Sequence, residues 1–102
     1  MLQLRPNCEQ CDCQLPADSK NAMICSYECT FCADCVESIL DNVCPNCGGG
    51  FCLRPNRPQK SWRDGTGLLF HPATLDKTLN PVEPSEHSEY SQAIKSIPPH
   101  LR

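Results

Sequence analysis

Eight of the ten cysteines in this 102-residue chain fall into four close pairs: Cys8 and Cys11, Cys25 and Cys29, Cys32 and Cys35, Cys44 and Cys47. A C-x2-C pair lets a tight turn aim two thiolates at one cation, and zinc takes four such sulfurs at about 2.3 Å in a closed tetrahedron. Four pairs therefore point to two zinc ions. The pairs are separated by 13, 2 and 8 residues, which allows two assignments. In the sequential one, neighbouring pairs share an ion; in the interleaved one, the first pair joins the third and the second joins the fourth. Either way each site is closed, with no position for water or substrate, so the metal would be structural rather than hydrolytic.

Other chemistries fit less well. Disulfides belong to oxidising compartments, and the N-terminal segment carries Arg5 and Cys8 where an export signal needs an unbroken apolar stretch. The expectation is a cytoplasmic protein with reduced, metal-binding cysteines. Cys29, Cys32 and Cys35 have the spacing that opens a bacterial ferredoxin run, but that run requires three residues before its Cys-Pro, and eight precede Cys44-Pro45 here. Cys13 and Cys52 remain as free thiols, each able in principle to replace a neighbouring ligand. His71, His87 and His100 all lie outside the cysteine-rich half and are expected at the surface. Without a histidine in that half, a Cys-His nucleophile is not expected. Gly48 to Gly50 lacks the Lys and Ser/Thr of a phosphate-binding loop and reads as a turn.

The order of ligands, with Thr30-Phe31-Cys32-Ala33-Asp34-Cys35 and the closing Cys44-Pro45-Asn46-Cys47, resembles the cross-braced RING finger, with Cys29 where that family more often has His. The opening Met1-Leu2-Gln3-Leu4-Arg5-Pro6-Asn7-Cys8, together with Ile24-Cys25-Ser26 and Cys44 to Gly49, is similar to short bacterial proteins grouped as domain of unknown function 1272, over roughly residues 1 to 58. The RING resemblance implies the interleaved assignment: Cys8, Cys11, Cys32 and Cys35 on one ion, Cys25, Cys29, Cys44 and Cys47 on the other. It also brings ubiquitin-ligase activity to mind. Ligases of that family place a bulky aliphatic residue after the first cysteine, often a Trp before the seventh, and a basic residue after the eighth. Glu9, no Trp and Gly48 stand at those positions, and only Pro45 agrees.

Charge divides the chain. Residues 1 to 50 carry two basic and seven acidic side chains; residues 51 to 102 carry seven basic and five acidic ones. Thiolates held by zinc make the first half more negative still, which disfavours nucleic acid, whose partners present a basic face. Arg54, Arg57, Lys60 and Arg63, with Trp62 among them, form the one stretch able to follow a phosphate chain, and they read as a solvated linker. The longest apolar run, Gly67 to Phe70, is too short to span a membrane.

The elements that must position the cysteines are short. Residues 1 to 7 read as a lead-in strand, and Asn21 to Tyr27 with Thr30 and Phe31 as a hairpin. Val36, Ile39, Leu40 and Val43 recur at one helical face, with Asn42 available to close the helix. A linker covers residues 54 to 67, and Leu68 to Phe70 could form one further strand. Ser85 is a plausible N-cap for a helix over 86 to 97 whose stripe is Tyr90, Ala93, Ile94 and Ile97, while 71 to 84 reads as irregular. The expected fold is a small metal-stabilised α+β module over residues 1 to 53, a RING-like cross-brace with two zinc knuckle pairs, a short hairpin and one short helix, plus a C-terminal extension over 68 to 102 with a helix. The functional expectation is a non-catalytic zinc-binding module for a protein partner that the sequence does not name, with the C-terminal helix available for a homo-oligomer. Ligase activity, zinc buffering and nucleic-acid binding through the linker are the alternatives.

Overall fold

The computed structural model describes all residues from Met1 to Arg102. Strand β1 (Ala22–Ile24) lies at the centre of a three-stranded antiparallel sheet. It pairs with β2 (Thr30–Cys32) on one side, Met23 opposite Phe31, and with β3 (Cys52–Leu53) on the other, Met23 opposite Leu53. Helix α1 (Ala33–Ser38) follows β2 without a break. Asp34 lies in its first turn, where a negative charge suits the helix dipole. Phe31, Val36, Leu40, Leu15 and Ala22 bury themselves among the cysteines in one cluster, which Met23, Ile39 and Phe51 flank. The ring of Phe51 meets that of Phe31 edge-on at 5.4 Å. The core is thus a thin apolar layer with sulfur on its borders.

Several sequence expectations need correction. Residues 1 to 5 form no strand, and the lead-in pairs only through a bridge between Asn7 and Gln14. The third strand is Cys52–Leu53, while Leu68 to Phe70 forms a turn closed by the Phe70 and His71 amides on the Gly67 carbonyl. Helix α1 stops at Ser38, because Asp41 and Asn42 take left-handed backbone angles (φ 52° and 56°) that turn the chain back. Leu40 and Val43 still reach the core, from that turn rather than from a helix face. Helix α2 covers Pro84–Ser91 rather than 86 to 97, and Glu83, not Ser85, caps it by accepting from the Glu86 amide. Pro84 occupies the first helical position, where its missing N–H costs nothing.

Arg54 and Arg57 are not solvated. The Arg54 side chain is buried, 4% exposed, and donates to the carbonyls of Arg5, Leu15 and Pro16 at 2.9, 3.2 and 3.0 Å. Burial without a carboxylate partner pulls its pKa down. Arg57 donates to the carbonyls of Leu2 and His71, both at 2.6 Å. The two side chains tie the segment after β3 to the N-terminal lead-in, so the basic stretch acts as a clamp. Only Lys60, Arg63 and the exposed Trp62 project freely from it.

The extension lies against the cysteine-rich half through polar contacts and through Val82, which packs on the core cluster. His87 was expected at the surface; it is buried, 3% exposed, with Nε2 2.9 Å from the Leu40 carbonyl, so Nε2 carries the proton. Gln10 exchanges two hydrogen bonds with the Val82 backbone, and Arg102 donates to the carbonyls of Asn42 and Gly48. The expected stripe is largely open: Tyr90, Ala93 and Ile97 are exposed, while α2 turns His87 and Ser91 inward. No helix is long and apolar enough to cross a membrane. The radius of gyration, 14.6 Å, exceeds the ~13 Å of a compact chain of this length, in keeping with an elongated outline of 47 × 27 × 18 Å.

Arg54→Met tests the clamp. The Arg5 and Leu15 carbonyls lose their side-chain donor, while Pro16 keeps the Ser19 amide; the expected loss is about 2 kcal/mol, read as a lower urea midpoint for the metal-loaded chain, and an unchanged midpoint would show that relief from burying the guanidinium offsets the lost bonds.

Candidate metal centres

Three of the four cysteine pairs sit on turns of one design. The Cys8 amide donates to the Cys13 carbonyl and the Asp12 amide returns to the Cys8 carbonyl, both at 2.9 Å. Cys44 repeats this with Gly49 and Gly48, at 2.8 Å each. Cys25 does so one residue shorter, with Cys29 and Glu28 at 3.2 and 3.0 Å. Each turn needs a left-handed residue before its end, and Asp12, Glu28 and Gly48 supply it with φ of 63°, 66° and 76°. Gly48 is the unstrained case, and its bare α-carbon also faces the Tyr90 hydroxyl, 3.3 Å from where a Cβ would stand. The remaining pair, Cys32 and Cys35, is carried by the junction of β2 and α1.

These turns aim backbone N–H groups at sulfur. The amides of Gln10 and Cys11 point at Cys8 Sγ at 3.4 and 3.5 Å, Tyr27 at Cys25 Sγ at 3.4 Å and Gly49 at Cys47 Sγ at 3.4 Å. Asn46 Nδ2 donates to Cys29 Sγ at 3.4 Å. Donors directed at sulfur favour thiolate over thiol, the form a metal requires.

The sulfurs gather in two groups. Those of Cys8, Cys11, Cys13 and Cys32 all lie within 4.8 Å of one another, and so do those of Cys25, Cys44 and Cys47. Cys8 and Cys11 thus meet Cys32 rather than Cys25, and Cys44 and Cys47 meet Cys25 rather than Cys32. Cys11 Sγ is 3.8 Å from Cys32 Sγ, the edge length of a tetrahedron with ~2.3 Å metal–sulfur bonds. Cys35 borders the first group through Cys32 and Cys11, and Cys29 borders the second through Cys25 and Cys44. Neither belongs to the mutually close set. Cys13 does, although its sequence position suggested an ordinary free thiol. Cys52 stays outside both groups, exposed on β3.

Titration behaviour follows from this crowding. Burial and the neighbouring sulfurs push Cys35 and Cys44 far above an ordinary thiol, although N–H donors partly offset this at Cys44. Burial chiefly raises Cys8 and Cys29. Cys13 is pushed up to about 12 by burial and by the sulfurs of Cys11 and Cys32. Burial also acts against the Cys11 thiolate, but hydrogen bonds from the Cys13 backbone and from the thiols of Cys13, Cys8 and Cys32 outweigh it and bring Cys11 down to about 7. One thiolate collecting its neighbours' protons is what a negative site does before a cation replaces those protons. The donor set is all sulfur and preformed, which fits a soft or borderline metal such as zinc.

Glu9 sits inside the first turn and was not foreseen as structural. Its carboxylate, in a residue 3% exposed, accepts from the Thr30 amide at 2.5 Å and pairs with Arg5 at 2.8 Å, while its backbone bonds to Thr30 and Asn80. It joins the first turn to β2, and so helps bring Cys8 to Cys32. An acidic residue beside the first cysteine was the available signal, but burial is not legible from one residue type.

A small cysteine-rich protein with two sulfur groups able to hold metal ions is therefore what the fold defines. The chain belongs to the family described as Protein of unknown function (DUF1272), whose pattern matches residues 1–57. It is 52% identical over 81 residues to an uncharacterised protein of Rhizobium meliloti (strain 1021), covering 79% of this chain and 89% of that protein. An alignment of 81 residues is longer than the family match, so the likeness reaches into the extension. No solved structure matches.

Two outcomes are expected. Glu9→Ala, which strips Arg5 and the Thr30 amide of their partner, should lower stability by about 3 kcal/mol, measured by denaturant unfolding of the metal-loaded chain. Metal loading should release protons, since raised thiols are protonated at pH 7 and must ionise to bind; calorimetry in buffers of differing ionisation heat should show this, with affinity falling as pH falls from 8 to 6.

Proposed function

We propose that this chain is a non-catalytic, RING-like zinc module that presents a rigid surface to another protein in the cytoplasm. Cys8, Cys11, Cys32 and Cys35 hold one zinc ion, and Cys25, Cys29, Cys44 and Cys47 hold the second. The observation that carries this reading is the crossing of the sulfur groups: the first turn meets β2 and α1, while the second turn meets the fourth. Interleaved sites make each ion a staple between distant parts of the chain. Zinc supplies cross-linking and charge neutralisation, and the residues supply four thiolates per ion. Apparent binding energies of roughly 10 to 16 kcal/mol per structural zinc match or exceed the roughly 5 to 15 kcal/mol stability of a whole domain.

The alternatives rest on less. A zinc buffer has no need of the fixed apolar layer of Phe31, Val36 and Leu40 between its sulfurs. Ligase activity would need an exposed aliphatic residue after the first cysteine, where the buried Glu9 is committed to Thr30. Nucleic-acid binding through the linker loses two of its four cations, since Arg54 and Arg57 are spent on backbone carbonyls.

Native mass spectrometry and circular dichroism decide the central point. The wild-type chain is expected to carry two zinc ions and to lose them together with its fold as a chelator is added, while Cys44→Ser carries at most one ion and unfolds. Graded loss of metal from a chain that keeps its fold would favour a buffer, and an undiminished load in Cys44→Ser would refute the ligand assignment.

A further inference from the structure

The first and fourth turns are built alike, so their residues can be matched by hydrogen bonding. Cys8 corresponds to Cys44, Cys11 to Cys47, Asp12 to Gly48 and Cys13 to Gly49. A Cβ placed on Gly49 would stand 3.3 Å from Cys47 Sγ. The side chain at that position of the turn therefore aims at the metal-binding sulfur two residues earlier. The fourth turn has no side chain there. The first has a thiol, and its sulfur lies within 4.8 Å of Cys8, Cys11 and Cys32.

The turn is held in that state. The Asn7–Gln14 bridge sets Cys8 opposite Cys13, and the Cys8 amide bonds to the Cys13 carbonyl. Asp12, whose left-handed angle brings Cys11 and Cys13 to the same side, is tied to Asn7 Nδ2 at 3.0 Å and Lys77 Nζ at 3.6 Å. Cys13 is exposed and Cys35 is buried in α1, so the two approach the common triad of Cys8, Cys11 and Cys32 from surface and core.

Building on the two-zinc reading, we infer that the first site is a five-thiol site in which Cys13 and Cys35 are interchangeable fourth ligands around the fixed triad of Cys8, Cys11 and Cys32. Exchange needs no redox step. One thiol loses a proton as it binds, and the departing thiolate regains one, so the charge on the ion's ligands is unchanged. The first site can change a ligand without releasing its ion; the second, with Gly49 in place of a fifth thiol, cannot.

Native mass spectrometry of the full chain with zinc as the only added metal tests this. Two ions are expected in the wild type, in Cys13→Ser and in Cys35→Ala or Cys35→Ser, and one in the double variant Cys13→Ser/Cys35→Ser. The two replacements at Cys35, one apolar and one matched in shape, separate lost packing from lost ligation, and two ions in either single variant support interchange. If both drop to one ion, or unfold, while the wild type holds two, Cys13 is no substitute and the inference fails. If the double variant still holds two, neither thiol is needed as fourth ligand and it fails as well. A wild type that holds fewer than two ions instead overturns the two-zinc reading on which this rests.

Discussion

Sulfurs crowded together cannot all be charged unless a cation sits among them, and the rest of this structure depends on that constraint. Burial, aided by neighbouring sulfurs, drives Cys8, Cys13, Cys35 and Cys44 upward, while Cys11 is drawn down. A divalent ion reverses this balance, because each thiolate then faces a positive neighbour. The apolar layer is too thin to dominate. Phe31 and Leu40 are fully enclosed, but many of their neighbours in the cluster are cysteines. In a module of about 50 residues, where hydrophobic burial alone is marginal, the two sulfur groups stand where a second layer of side chains would be.

That arrangement demands sharp turns more than long elements. The strands are two or three residues long and α1 has six, so they act as spacers between turns. Two of the four strained positions are where sulfurs are aimed: Asp12 and Glu28 accept left-handed angles that glycine adopts freely, and both side chains are anchored, Asp12 by Asn7 and Glu28 by the Gln3 amide at 3.0 Å. Such angles cost of order 1 kcal/mol or more for residues with a Cβ. The cost is tolerable where the same turn supplies a ligand to a bond many times stronger.

What could be read from the sequence follows the same division. Cysteine spacing has a direct geometric meaning, so the gathering of Cys8 and Cys11 with Cys32, and of Cys25 with Cys44 and Cys47, was foreseeable from it together with the likeness to cross-braced fingers. The hairpin of β1 and β2 carried its own pattern in Met23, Ile24 and Phe31. The errors lie where tertiary contacts override local preference. Leu68-Leu69-Phe70 has strand propensity but closes on itself as a turn at Gly67, and Cys52-Leu53 has little yet pairs with β1 because the Gly48–Gly50 turn delivers it there. Arg54 and His87 are polar residues expected outside; both are buried because their donors find backbone carbonyls there, Arg5, Leu15 and Pro16 for the one and Leu40 for the other. The place of Cys13 in the first sulfur group was not legible, because spacing counts residues along the chain, whereas the hairpin of the first turn folds residue 13 back over residue 8.

The extension shows how such a chain adds material without adding a core. An apolar stripe on α2 would need a matching apolar face, and the extension finds only a small one, where Val82 packs on the core cluster. What the cysteine-rich half does offer is carbonyls with room for a side-chain donor: those of Asn42 and Gly48, and that of Leu40, which also accepts from the Val43 amide. His87 and Arg102 answer these directly, and Gln10 on the first turn answers Val82 in return. Docking by carbonyl satisfaction ties the extension to the turn geometry. The position of the extension is thus set by the same turns that gather the sulfurs, with Val82 packed on the core cluster beside them.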